Sequence, residues 1–333
     1  MIRPLTITLC ALLPGCNSYD AFDPVGEPAS AAPSVQTPAY TYSPVLSIEP
    51  WKFADADGSV IRTQHYRVFT TSDRTIIRRV LPGFLEASLV QYRSALGELP
   101  PPPVKLDTYL MDTRPQWASL TRALMQERAD VYLQIERGGF AAQGRGVYRD
   151  LGALTDTLNL AAHEGWHQYT QLTFKSRLPV SLEEGIATYM EGFRFDPARP
   201  DVPIFMPWAN TERYDQLRRA ASADRLLPLD TLLTTPPQDL IARDQEMALT
   251  WYAQVWALVH FLHEGESGLY TGSLHAILAD AATGASRGVA RLPLASYIQT
   301  PADELNEQYQ AFIKNITAPG ARNKIVAGRS PLR

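Results

Sequence analysis

His163 and His167 stand four residues apart, and Glu164 follows the first of them. The run 159–169 reads as a helix, and residues at this spacing lie one above the other on a single helix face. Imidazole nitrogens so placed can share one Zn²⁺, while Glu164 reaches a water held on that ion. Zinc lowers the pKa of that water toward neutrality, and a carboxylate can take its proton. Two ligands and a general base thus fit on about one and a half turns of helix. The competing reading is a solvated helix face on which the spacing is accidental. Gly165 argues against it, since Gly in a helix interior costs about 1 kcal/mol relative to Ala. A closely approaching neighbour is the expected compensation.

Catalytic zinc usually takes three protein ligands plus water, so the helix needs a partner. Residues 181–191 read as a second helix, and a loop through 175–179 lets the two run antiparallel. They contain Glu184-Gly185-Ile186-Ala187-Thr188-Tyr189. On these two segments the chain resembles the gluzincin metallopeptidases, whose second helix carries Glu-Gly-x-Ala-x-Tyr and donates the third ligand. The resemblance implies His163, His167 and Glu184 as zinc ligands and Glu164 as the base that activates water. Glu183 stands where many gluzincins have Asn, which leaves it open as the alternative ligand. Thr188 stands where some carry an acid that orients a histidine, so the partners of the two imidazoles are not specified.

The early helix, the Pro-rich strand entry near residue 103 and the Glu-Gly-Ile-Ala run are similar to bacterial peptidase MA-like proteins, over about residues 60–265. This implies an α+β, zincin-like fold: a small mixed sheet with the active-site helix, then a mainly helical C-terminal subdomain. An edge strand beside the cleft would pair with an extended peptide or protein substrate, and Tyr148 is expected on that edge, against the alternative of a packing or surface tyrosine. Gluzincins often bring a Tyr or His from a later helix to the developing oxyanion. Tyr252 matches that position, against the alternative of a packing tyrosine. His260 and His263, on the same helix, read as core or rim histidines.

The two cysteines, Cys10 and Cys16, both lie near the N-terminus. Arg3, an apolar stretch over 5–13 and Gly15-Cys16 resemble a bacterial lipoprotein signal, with lipid on Cys16 anchoring the chain to a membrane of the cell envelope. Removal of that signal leaves no cysteine pair, so zinc ligation falls to His and carboxylates. Residues 17–50, rich in Pro, Ala, Ser and Thr, read as a tether, or alternatively an arm packed on the body. The body divides into 51–195, with both zinc segments, and a helical part over 196–317, followed by a disordered tail over 318–333. A net charge of −4 gives no footprint for nucleic-acid binding.

Between these landmarks the periodicity predicts strands over 66–70, 104–111, 131–135 and 144–149. Helices are expected over 73–96, broken or kinked at Pro82-Gly83, and over 115–125, 211–224, 245–264, 268–282 and 301–316, with 226–237 a packed loop. Helix 245–264 is apolar nearly all round, so it must be buried. Beside zinc-dependent peptide hydrolysis stand two other functions: a lipid-anchored binding scaffold without turnover, and a zinc amidase acting on a non-peptide or cell-wall amide.

Overall fold

The computed structural model describes residues 45–135, 138–241, 244–285 and 291–332. The signal reading of residues 1–16 and most of the tether lie outside the described residues. The end of the tether is already sheet. β1 (Ser47–Phe53) pairs antiparallel with β2 (Ala56–Arg62) around a turn at Ala54, whose φ is 51°. β1 alternates few apolar residues, so its pattern is weak. It is held by Trp51 against Phe69, with ring centroids 5.5 Å apart, and by the Arg62–Glu49 ion pair.

β3 (Tyr66–Thr70), α1 (Thr75–Ser94), β4 (Leu106–Met111) and α2 (Arg114–Met125) follow as the periodicity predicts. α1 runs unbroken through Pro82, because Leu81, Phe84 and Leu85 around it are fully buried and packing outweighs the missing backbone bond. Then come α3 (Ala129–Leu133), β5 (Gly139–Ala142), β6 (Arg145–Arg149), α4 (Leu154–Thr173) and α5 (Val180–Met190). β7 (Phe193–Asp196) and β8 (Arg199–Phe205) form a separate two-stranded ribbon. The rest is helical: α6 (Thr211–Ser222), α7 (Leu229–Thr234), α8 (Pro237–Ile241), α9 (Gln245–Glu264), α10 (Thr271–Thr283), α11 (Ala302–Ile316) and α12 (Ala321–Val326).

The architecture is mixed α/β. The six-stranded sheet has the order β1-β2-β3-β4-β6-β5, with β3, β4 and β6 parallel and the others antiparallel to their neighbours. Successive side chains of a strand point to opposite faces. Tyr66, Val68, Leu106, Leu110 and Tyr148 enter the large core with α1 and α4, and Met111 and Val147 enter a second core under α2 and α3. The large core continues without a break from Ile61 to Ile325, so the residues on either side of position 195 share one interior.

Four further expectations are corrected. Residues 131–135 belong to a short helix and its exit, not a strand: Arg114 donates to the carbonyls of Leu133 and Ile135, both at 2.6 Å, so those acceptors need no sheet neighbour. Tyr148 lies on β6, inside the sheet and fully buried; the edge beside α4 is β5. The 226–237 segment contains α7, whose Leu229 and Leu232 are buried. The tail is ordered in α12, where Ile325 is fully buried and Arg322 forms a two-point ion pair with Asp215.

Candidate metal centre

α4 is positioned from three sides. At its start, Asp150 accepts from the backbone of Gly152 and from Arg74 at the head of α1. Toward the sheet, Gln168 donates to the carbonyls of Asp107 (2.8 Å) and Gly144 (3.1 Å) and accepts from Thr108. Toward α1, the Tyr92 hydroxyl donates to the carbonyl of Ala162 at 2.7 Å. A Cβ on Gly165 would stand 2.5 Å from that same hydroxyl, which accounts for glycine in mid-helix. These contacts fix the rotation of α4 and turn His163 and His167 together toward α5, their ring centroids 5.0 Å apart.

α5 is held by an equally close approach. A Cβ on Gly185 would meet the carbonyl oxygen of Val255 on α9 at 2.6 Å. The neighbouring Glu184 therefore points from a rigid helix pair toward the two imidazoles. Its Oε2 lies 3.4 Å from Nε2 of His163 and 3.6 Å from Nε2 of His167, and all three side chains are about 1% exposed. Tetrahedral zinc with bonds of about 2.0–2.1 Å has ligand atoms about 3.3–3.4 Å apart, so the two carboxylate–imidazole separations fit the ion, and all three ligand atoms lie within 4.8 Å of one another. Among the described residues this is the group of His, Cys, Asp and Glu side chains able to hold a metal. His167 Nε2 and Glu184 Oε2 are buried with no hydrogen-bond partner, as expected of atoms whose partner is a cation.

Behind each imidazole stands a carboxylate. His163 Nδ1 lies 2.8 Å from Glu191 Oε1, and His167 Nδ1 lies 3.0 Å from Glu183 Oε1. In the neutral rings that a metal requires, Nδ1–H donating outward to these carboxylates leaves each Nε2 lone pair directed inward. Glu183 is thus set behind His167 rather than at the centre, and Thr170 also donates to it. Glu191 is itself clasped by Asn210 (2.7 Å) and the buried Arg213 (3.3 Å). The expected position for such an acid, Thr188, instead closes a bond to the carbonyl of Gly185. Glu191 comes seven residues after Glu184, the same helix face two turns on, a spacing that could have identified it. Asn210 and Arg213 gave no signal beyond their place at the start of a helix.

Glu164 is fully buried, and neither carboxylate oxygen makes a hydrogen bond of ordinary geometry; the backbone of Ala141 is the polar group that approaches it. Burial pushes its pKa up to about 6, against the opposing pull of His163 and His167. Burial would likewise lift Glu184, but the imidazoles outweigh it and hold the group at about 2. Burial disfavours charge on His167, yet Glu184 and Glu183 together hold it up at about 9. The centre is therefore strongly acceptor-rich and stabilises added positive charge. The nearest strand backbone is β5: Ala141 lowers the Glu164 pKa through its backbone, and its carbonyl accepts from Gln171.

Tyr252 lies buried on α9, and its ring is 5.4 Å from the guanidinium carbon of Arg213. It is thus tied to the group that holds Glu191. His260 stacks on Trp208 with centroids 3.6 Å apart and pairs with Glu264, a core role as expected. Comparisons with family models, with curated proteins and with solved structures find no match to this chain.

Proposed function

We propose that the chain is a zinc-dependent metallopeptidase with a zincin-like fold of the gluzincin type. The carrying observation is the convergence of His163, His167 and Glu184, with the carboxylate 3.4 and 3.6 Å from the two imidazole nitrogens and the buried carboxylate of Glu164 one residue from the first ligand. Zinc bound by these three side chains would supply Lewis-acid polarisation of a scissile carbonyl and ease ionisation of water. Glu164 takes the proton of the attacking water and delivers it to the leaving amine. Its raised pKa suits a group that must both accept and return a proton near neutral pH. Glu191 and Glu183 hold the two imidazoles in one tautomer and orientation. Tyr252, on the helix packed against α5, is the donor assigned to the oxyanion.

A scaffold without turnover is a weaker reading. Burying Glu164 with little more than an approach from the Ala141 backbone disfavours folding, and a binding surface gains nothing from it. The same proposal keeps the protein in the bacterial cell envelope, tethered through a lipid on Cys16. Among the described residues no helix is long and apolar enough to cross a membrane.

The test is hydrolysis of a peptide library with metal analysis of three proteins. Wild type is expected to carry zinc and cleave. Glu164→Gln should keep zinc and lose cleavage, and His163→Ala should lose both. Cleavage by Glu164→Gln at the wild-type rate would remove the base from the scheme. Cleavage of cell-wall amides but no peptides would move the substrate class and leave the metal chemistry in place.

A further inference from the structure

The face of the sheet turned away from α4 carries a row of charge. Arg62 pairs in register with Arg67, Arg67 with Asp107, and Asp107 with Arg145. Their strand neighbours point the other way: Tyr66, Val68 and Leu106 enter the large core, and Thr108 bonds Gln168 of α4. At the end of this row is a cavity of about 440 Å³. It is lined by Arg62, Arg67, Lys105 and Arg145, with Asp107 as the one carboxylate. Counting Glu49, which pairs with Arg62, four cations face two carboxylates. A chain with net charge −4 thus concentrates about two positive charges in one concavity.

The cations are held in place before any ligand arrives. Asp107 engages Nε and Nη2 of Arg67, and Glu49 engages the same atoms of Arg62. Lys105 donates to the carbonyl of Thr63 at 2.7 Å, and Arg145 to Gln143 at 3.2 Å. A guanidinium has five N–H donors and an ammonium three, so each retains donors for a further acceptor. Such pre-ordering lowers the entropy lost on binding. One wall is apolar: Val104, 57% exposed, and Leu172.

We propose that this cavity binds a phosphate monoester carrying a short apolar group. Arg67, Arg145 and Lys105 hold the phosphate, and Val104 and Leu172 pack on the apolar part. The two excess positive charges match the charge of about −1.5 to −2 that such a phosphate bears at neutral pH. Guanidinium forks suit its oxygens. The metal centre uses other side chains; of the lining residues only Leu172, near the end of α4, shares a helix with its histidines.

The experiment is calorimetric titration of the full chain at low ionic strength. Hexyl phosphate offers this chemistry in solution, and phosphatidylcholine vesicles doped with phosphatidic acid offer it at a membrane. Saturable binding of hexyl phosphate, tighter than inorganic phosphate, is expected. Arg145→Gln or Lys105→Met should each weaken it about tenfold, the loss of one charge-assisted bond. Arg145→Glu should abolish it, and added NaCl should weaken it. Lys105 is exposed and Arg145 partly so, and an unchanged melting temperature checks that the variants fold. Vesicle binding lost in Arg145→Gln, without hexyl phosphate binding, supports the proposal with a lipid headgroup as the source. No saturable binding of either up to about 10 mM overturns it. So does equal binding in Arg145→Gln, or a preference for hexanoate or an acidic peptide.

Discussion

Glu191 Oε1 lies 2.8 Å from Nδ1 of His163, two helical turns beyond the carboxylate that faces the other nitrogen of that ring. One helix therefore supplies both the inner acceptor and the outer one, and Arg213 and Asn210 fix the outer one from α6. Loss of such an outer partner typically lowers metal affinity by about 10–100-fold. Glu191→Gln is expected to fall in that range by chelator competition and to lower kcat. Glu191→Ala should in addition destabilise the fold, since Arg213, 2% exposed, loses its buried counter-charge.

The adjacent glutamates of α5 should behave differently. Glu184→Gln removes an inner ligand and is expected to abolish stoichiometric zinc binding. Glu183→Gln disturbs only the orientation of His167 and should retain zinc with about 10–100-fold weaker affinity. Zinc titration of the two variants checks this. The reverse ranking would mean that Glu183 is the ligand.

How far the sequence could disclose this centre depends on whether each contact is local. His163, Glu164 and His167 share one helix, and Glu184 sits in a run of matching pattern, so their convergence could be read directly. The apolar residues of 245–264 fixed α9 at the bounds observed, because its burial needs no information from elsewhere. Glu191 is obscured in the sequence because the acid is expected about one turn earlier, at residue 188. Residues 131–135 misled because Val131, Leu133 and Ile135 alternate like a strand. Nothing local reveals that Arg114 takes the carbonyls of Leu133 and Ile135. The tail reads as unstructured for the same reason: Asp215, which pairs with Arg322, lies 107 residues away.

Gly165→Ala places a methyl group against the Tyr92 hydroxyl at 2.5 Å. Overpacking of this kind costs about 1–3 kcal/mol. Adding Tyr92→Phe, which removes the hydroxyl, should recover part of that loss, seen as coupling in a double-mutant cycle by urea unfolding. Gly185→Ala meets the backbone of Val255 instead and has no side-chain change to relieve it.

In the metal-free protein Glu164 should oppose folding as pH rises. Its folded pKa is raised from 4.5 to about 6, chiefly by burial, so the folded state binds the proton more tightly than the unfolded chain. Stability from this group is full below the unfolded value and is lost as pH climbs through the folded one. Metal-free Glu164→Gln should therefore exceed wild type by about 2 kcal/mol at pH 7–8, since one pKa unit is about 1.4 kcal/mol. The gap should narrow between about pH 6 and 4.5. Denaturant melts at several pH values measure it.

Removal of residues 318–333 deletes α12, in which Ile325 is fully buried, and the bond from Ser330 to Glu264. Burying one such side chain stabilises by about 1.5–3 kcal/mol. The truncated protein should melt several degrees lower, whereas an unstructured tail would leave the transition unmoved.

The central claim is tested most directly by diffraction recorded at the zinc absorption edge from crystals of the zinc-loaded protein. The account predicts one anomalous peak per chain, about 2.0–2.1 Å from Nε2 of His163, Nε2 of His167 and Oε2 of Glu184. A zinc-loaded crystal without a peak there, or with the metal bound only elsewhere on the chain, would contradict it.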